Sequence, residues 1–408
     1  MQLEPAAAHA RTARLGVSLA YVAQGLGYAT VVTALPQFKD RYALTEDVVA
    51  LVTLTVVIGA AAGSVLADRI AVRRGSRAAL TLAFGTQALM LVAVALPVPF
   101  PVFWCAIGAY GIGLGAVDAG AAMQGVLAQR ALGRDVMGSF YASATAASAL
   151  GAIVMSAAVA SPAGEGVALA AAAAVALALS LGGTRLLDGS REEGAAEEGS
   201  ARRRPIPTLG LVLVGLVVFA AFTADSTLST WTTLYLQDGL GMTGSIAPLG
   251  FALAVAPLGY ATYQVMTLAS RLASDRLVRW WGRAALAGAA AIVGAVGLAT
   301  MALVPQPVTV FVGIALAGAG VGALVPLAYS AAGDLEPSRS DEIVARVNLF
   351  TYPGSVIGAV VPGLLAAQAG YGPSLLVGSV MLLLVLGSLR RFHTPVPVRV
   401  RRRVRRDA

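Results

Sequence analysis

The chain has 408 residues, of which 57% are hydrophobic and only 12% charged, and a formal net charge of +8. A mean hydropathy of +0.77 excludes an ordinary soluble domain and points to a membrane protein. The single cysteine, Cys105, excludes a disulfide framework and a cysteine metal cluster, and its expected state is a packed, inert thiol.

A bilayer core needs about 20 apolar residues per helix, and such runs recur along the chain. The first half reads as spans near Leu15–Leu35, Val48–Ala67, Ala78–Leu96, Val102–Gln124, Met137–Ala160 and Val167–Thr184. The first is too long for a signal peptide and no A-x-A cleavage pattern follows it, so it is expected to stay in the mature protein. Next comes a polar interruption, Asp188 to Pro207, rich in Glu, Gly and Arg, which reads as a flexible linker. The second half gives Leu209–Tyr235, Ile246–Ser270, Ala284–Val304, Val308–Ser330, Val347–Ala369 and Ser374–Leu389. The expected fold is an all-α membrane protein with twelve transmembrane helices in two pseudo-symmetric six-helix bundles. Its domains are residues 1–187, a cytoplasmic linker at 188–207, a second bundle at 208–392 and a basic tail at 393–408.

Charge supports this count. With both termini inside, 27 of the 29 basic residues fall on the inner face, and only Lys39 and Arg41 fall outside. A wrong count would scatter them over both faces, so the positive-inside rule places both termini in the cytoplasm of a plasma (inner) membrane. The basic clusters then face anionic lipid. The Arg-rich tail lacks the interleaved aromatics that stack bases, so no nucleic acid is expected as a partner.

The halves repeat at one displacement. Asp68-Arg69 followed by Gly75 returns 207 residues later as Asp275-Arg276 followed by Gly282. The ladder Gly111, Gly113, Gly115 returns at the same displacement as Gly318, Gly320, Gly322, and Ser148-x-x-Gly151 returns as Ser355-x-x-Gly358. A duplicated membrane protein points to transport through a site between its halves.

Inside hydrocarbon an ionisable side chain costs several kcal/mol unless it serves a cavity or a partner. Only Asp118 and Asp225 lie well inside the spans, and neither has an Arg or Lys placed deep enough to neutralise it. Asp118 sits six to eight residues from the inner end of the fourth span. Its repeat image is Val325, so symmetric packing does not require an acid there. Histidine is absent from the spans, so any proton coupling falls to these two carboxylates. Tyr21, Gln24, Gln124, Tyr141, Trp231, Tyr263, Gln264, Asn348 and Tyr352 are candidates to line the cavity. No P-loop string occurs, so ATP-driven pumping is not expected, and neither a cofactor, a metal nor an enzymatic activity is.

Twelve spans in two repeated halves, with Ser64-Val65-Leu66-Ala67-Asp68-Arg69-Ile70-Ala71-Val72-Arg73-Arg74 after the second and Arg271 with Asp275-Arg276 after the eighth, resemble the major facilitator superfamily. A narrower resemblance is to its YbjJ-like and fucose-permease-like branch. It rests on Asp118-x5-Gln124, Gly133-Arg134, Met137-x-x-Phe140-Tyr141, Asp225-x5-Trp231 and Tyr235-Leu236-Gln237-Asp238. The first span carries no carboxylate, unlike that of the fucose–proton symporter. The fifth lacks the Gly-Pro pair of the drug antiporters. The resemblance implies a gating role for Asp68, Arg69, Arg134, Asp275 and Arg276. It also implies a monomeric secondary transporter in a lipid bilayer, taking a small-molecule substrate and protons. Proton-driven efflux of a drug or secondary metabolite, and a non-transporting sensor or scaffold on the same fold, stay open.

Overall fold

A computed structural model describes residues 3–133, 136–187, 207–248, 252–336 and 339–391. The linker expected before residue 207 and the tail after 391 lie outside the described residues. The first half contains α1 (Leu3–Thr33), α2 (Leu35–Tyr42), α3 (Glu46–Arg74), α4 (Ser76–Ala95), α5 (Phe100–Leu132), α6 (Met137–Val159) and α7 (Glu165–Leu186). The second contains α8 (Thr208–Leu234), α9 (Val255–Trp281), α10 (Arg283–Leu303), α11 (Pro307–Asp334), α12 (Ser340–Asn348), α13 (Thr351–Ala369) and α14 (Tyr371–Leu384). A single π turn, Tyr235–Gly239, extends α8, and a two-stranded hairpin pairs Ser245–Ile246 with Leu253–Ala254.

Among the described residues, eleven helical segments are long and apolar enough to cross a membrane. The expected twelfth is α9, which is 27 residues long but carries Arg271, Asp275, Arg276 and Arg279. It also starts later and ends later than the expected Ile246–Ser270. Ser245–Ile246 and Leu253–Ala254 are held in the hairpin strands, and Pro257 sits in the first helical turn, where its missing N–H costs nothing. The fourth span likewise runs past its expected end, because α5 stays helical to Leu132 and stops only at Gly133, in the left-handed region at φ 62°. Asp118 therefore lies at mid-helix, 14 residues from the inner end rather than six to eight.

In the first half, α1 packs on α6, α3 on α5, and α4 on α5 and α7; in the second, α8 packs on α13, α9 on α11, and α10 on α11 and α14. The two halves meet along α6 against α9 and α3 against α13. The glycine seams show how closely the repeat is kept. A Cβ at Gly115 would stand 1.8 Å from the Ala60 carbonyl oxygen, and one at Gly322 would stand 2.7 Å from that of Thr267. Both members of the second contact are displaced by 207 from the first. The first helix of each half follows a different register. Gly151 packs on Leu26 and Ala29 while Gly358 packs on Thr223 and Ser226, so α1 and α8 correspond at a displacement of 197. Asp225 is therefore the counterpart of Tyr28.

Cys105 is exposed on α5, not packed. Its helix crosses the membrane, and the thiol faces away from the bundle core.

Candidate functional site

Asp118 projects from the middle of α5 and is exposed, although its neighbours belong to the interior. Its Oδ1 accepts a hydrogen bond from Gln24 Nε2 at 2.7 Å. Gln24 is fixed in turn: the same amide nitrogen donates to the Leu114 carbonyl at 3.1 Å, and its oxygen accepts from Gln87 Nε2 at 3.2 Å. One turn away on α1, Tyr21 stacks on Phe140 at 5.7 Å and meets Tyr141 edge-on at 5.2 Å. Tyr141 is 50% exposed. The negative charge of Asp118 is within reach of Tyr21, Tyr28, Tyr110 and Tyr141. Tyr21 and Tyr110 are buried inside the first half and Tyr141 is half exposed, so the carboxylate stands at the edge of that half's interior.

The opposing wall is built on α8 and α9. Asp225 accepts a hydrogen bond from the Tyr263 hydroxyl. Tyr263 lies 6.0 Å, ring to ring, from Tyr260, whose hydroxyl accepts from Gln264 Nε2 at 2.6 Å. Tyr28 of α1 and Tyr260 of α9 both approach Ser229, one turn beyond Asp225. The two walls thus meet over a roof of hydroxyl groups.

Two contacts cross between the halves lower down. Tyr352 of α13 lies 3.5 Å, oxygen to oxygen, from Ser64 of α3, and Arg271 Nη1 of α9 donates to Thr145 Oγ1 of α6 at 2.6 Å. Arg271 and Thr145 are the repeat images of Ser64 and Tyr352, both displaced by 207. Nearby, the exposed Asn348 accepts from the Tyr329 hydroxyl at 2.6 Å.

The expectation that no cation lies deep in the spans is corrected here. Arg271 is 16 residues from the start of α9 and 10 from its end, and its charge is within electrostatic reach of Asp225 and Tyr141. It reads from sequence as part of a gating signature near a helix end because the eighth span is expected to stop at Ser270. Two other candidates point elsewhere. Gln124 is buried and donates to Ser76 Oγ at 2.9 Å inside the first half. Trp231 is fully buried, with Nε1 donating to the Ala359 carbonyl at 3.0 Å. Tyr28 and Tyr329 are absent from the expected set. Tyr28 becomes identifiable only from the α1/α8 register, as the counterpart of Asp225.

The ends of the bundle differ. At the end away from the arginines, Lys39 of α2 pairs with Glu46 at 2.9 Å and, across the halves, with Asp238 at 2.6 Å. The Tyr371 hydroxyl joins them, donating to Glu46 at 3.0 Å and accepting from Lys39 at 3.2 Å. Burial alone favours neutral Lys39, but the hydrogen bonds to Asp238, Glu46 and Tyr371 outweigh it and hold its pKa above the ordinary lysine value. Gln237 bonds both Gln37 and Asp40, and Ser156 Oγ donates to the Ala254 carbonyl at 2.6 Å, adding further ties between the halves. At the arginine-rich end, Asp68, Arg69, Asp275 and Arg276 are exposed and have no ion-pair partner among the described residues. Arg276 instead lies over the exposed ring of Trp280 at 5.7 Å. Arg134 lies outside the described residues. Among the described residues no cluster of His, Cys, Asp and Glu has the makings of a metal site.

Residues 17–309 match the family profile described as the Major Facilitator Superfamily. An uncharacterized transporter of Sinorhizobium fredii, y4wD, is 33% identical over 165 residues, covering 40% of this chain and 41% of that protein. Membrane protein MosC of Rhizobium meliloti is 25% identical over 166 residues, or 41% of this chain and 39% of that one. The chain thus spans about two-fifths of the length of these relatives. Among solved structures, a point mutant of the nucleoside transporter NupG superposes with a TM-score of 0.72 at 12% identity, over 94% of this chain and 100% of that one. An auto-inhibited peptide transporter of the POT family gives 0.69 at 13% identity, over 95% and 98%. At such identities the likeness is one of fold alone.

Proposed function

The chain belongs to the Major Facilitator Superfamily, and from that premise we propose that this membrane transporter carries a small polar solute by alternating access, coupled to protons through Asp118. The observation that supports the reading is an exposed carboxylate at mid-helix in a bundle whose halves share a charge network at one end, while Asp68 and Asp275 at the other have no ion-pair partner among the described residues. Gln24 engages one oxygen of Asp118, and the other has no partner among the described residues. The second oxygen is free to take a proton from water entering at the arginine-rich end. That end is the cytoplasmic one in this reading, in keeping with the positive-inside rule. Asp225, held by Tyr263, serves the solute. The two halves rock about α6/α9 and α3/α13, trading the Lys39 network at one end for Asp68 and Asp275 contacts at the other.

Asp118→Asn keeps the shape and the Gln24 hydrogen bond but removes the ionisation. In liposomes with an imposed pH gradient, it should abolish accumulation of solute while sparing exchange that moves no net protons. The solute for this assay comes from thermal-shift screening of metabolites and drugs, since binders stabilise by mass action. Accumulation at the parental level by Asp118→Asn would make the carboxylate structural.

A further inference from the structure

Three charged side chains break the repeat inside the spans: Asp118 against Val325, Asp225 against Tyr28, and Arg271 against Ser64. The two carboxylates have roles above, and Arg271 has none. We infer that Arg271, with Thr145, forms a subsite for a carboxylate group on the transported solute, at the junction of α6 and α9. The inference rests on the transport reading above.

The junction itself does not need the cation. Its pseudo-symmetric image is the neutral pair Ser64 and Tyr352, so the same two helix surfaces pack without a charge. Arg271 is also poorly satisfied where it stands. Of its five guanidinium donors, one reaches the Thr145 hydroxyl, a neutral acceptor, at 2.6 Å. Its Nε is buried without any partner. No carboxylate lies within ion-pair distance of it among the described residues. In a membrane bundle, a cation left this way marks a substrate or ion path by default. Arg271 is only partly buried, and Tyr141, one turn from Thr145 on α6, is half exposed to the same space.

The shape and charge of the site select the ligand. With Nε buried and one Nη1 hydrogen turned to Thr145, the outer Nη1–Nη2 edge carries the remaining donors, a planar fork that matches the two oxygens of a carboxylate. Asp225 lies within electrostatic reach on the same wall, so the local positive charge is already partly offset. A monoanion balances what is left, whereas a phosphate dianion meets repulsion from the neighbouring carboxylate. The solute therefore carries one carboxylate, which docks where the two halves meet and bridges them through Arg271 on one and Thr145 on the other.

The test uses the full-length purified protein with Cys105→Ala and Tyr141→Cys, which puts a thiol beside the subsite. Its reaction rates with a sulfonate-bearing and a trimethylammonium-bearing methanethiosulfonate are compared, each normalised to a free thiol. The anionic reagent should be favoured by roughly fivefold or more, and Arg271→Gln should erase that preference. Lactate and benzoate should slow the anionic labelling, while lactamide and benzamide should leave it unchanged. Arg271→Lys keeps the charge without the fork, so it should retain the reagent preference and lose much of the protection. It also serves if the glutamine variant fails to fold. An equal reagent ratio with and without Arg271, protection by the amides as well as the acids, or protection by inorganic phosphate alone would each overturn the assignment. Labelling requires no transport, so a failed pH-gradient assay for Asp118→Asn leaves this result standing on its own.

Discussion

The two ends of this bundle come from one repeated plan yet are held in different ways. Away from the arginines, Lys39, Glu46, Asp238 and Tyr371 form a partly buried network across the halves, backed by Gln237 and Ser156. At the arginine-rich end the matched Asp68-Arg69 and Asp275-Arg276 pairs stand exposed and unpaired among the described residues. The acidic-basic pairs of the repeated motif have no ion-pair partner among the described residues, whereas its Ser64 and Arg271 make contacts across the halves. Between the ends, the glycine seams inside each half are matched across the repeat.

If the halves are rigid bodies, the largest effect belongs to a seam. Gly115→Ala would bring a methyl group to 1.8 Å from the Ala60 carbonyl. Backbone cannot yield as a side-chain tip does, so a loss of more than about 3 kcal/mol is expected, from overpacking between α3 and α5. Yield and thermal midpoint in detergent should both fall sharply. A variant that unfolds like the parent would mean the halves are looser than the comparison assumes.

The next effect is at the sealed end. Lys39→Met leaves Glu46 and Asp238 facing each other without their shared cation. Removing one partner of a buried pair costs several kcal/mol, while a surface pair contributes under about 1. With side chains 17–24% exposed, the expected cost is intermediate, about 1–3 kcal/mol, or on the order of tenfold in the population closed at this end. Accessibility of a thiol introduced by Tyr28→Cys, probed from that side, should rise accordingly. In the parent the seal should be insensitive to pH across the physiological range. The pKa of Lys39 is raised in the folded state, so its contribution is complete below the unfolded value of about 10.4 and fades only as pH climbs through the raised one.

The smallest effect is at the open end. Asp68 is exposed and without an ion-pair partner among the described residues, so Asp68→Asn should leave thermal stability in this state within about 0.5 kcal/mol. It should slow turnover more than it weakens solute affinity, because the contact it serves forms only when this end closes. Unchanged transport with intact expression would reduce Asp68 to a solvated surface charge.

Composition, span spacing and the charge split were enough to establish a two-half, all-helical membrane protein. They also picked out Asp118 and Asp225 as the acids to watch, because any carboxylate in hydrocarbon needs a reason to be there. Each residue advances a helix by a fixed rise, so depth is readable only once the helix ends are known, and the late ends of α5 and α9 are what misplaced Asp118 and Arg271. Azimuth is not readable here. These helices are apolar nearly all round, so no polar stripe says which face turns inward. Packing alone turned Gln124 and Trp231 into the helix seams, put Tyr28 opposite Asp225, and swung Arg271 from a presumed helix end to the junction of the halves. The signal for Arg271 was present in the repeat, as a cation standing where its image is serine. Its meaning depended on knowing that α9 continues to Trp281 and that Thr145 faces it from the other half. Those are contacts between residues more than a hundred positions apart, which tertiary structure alone decides.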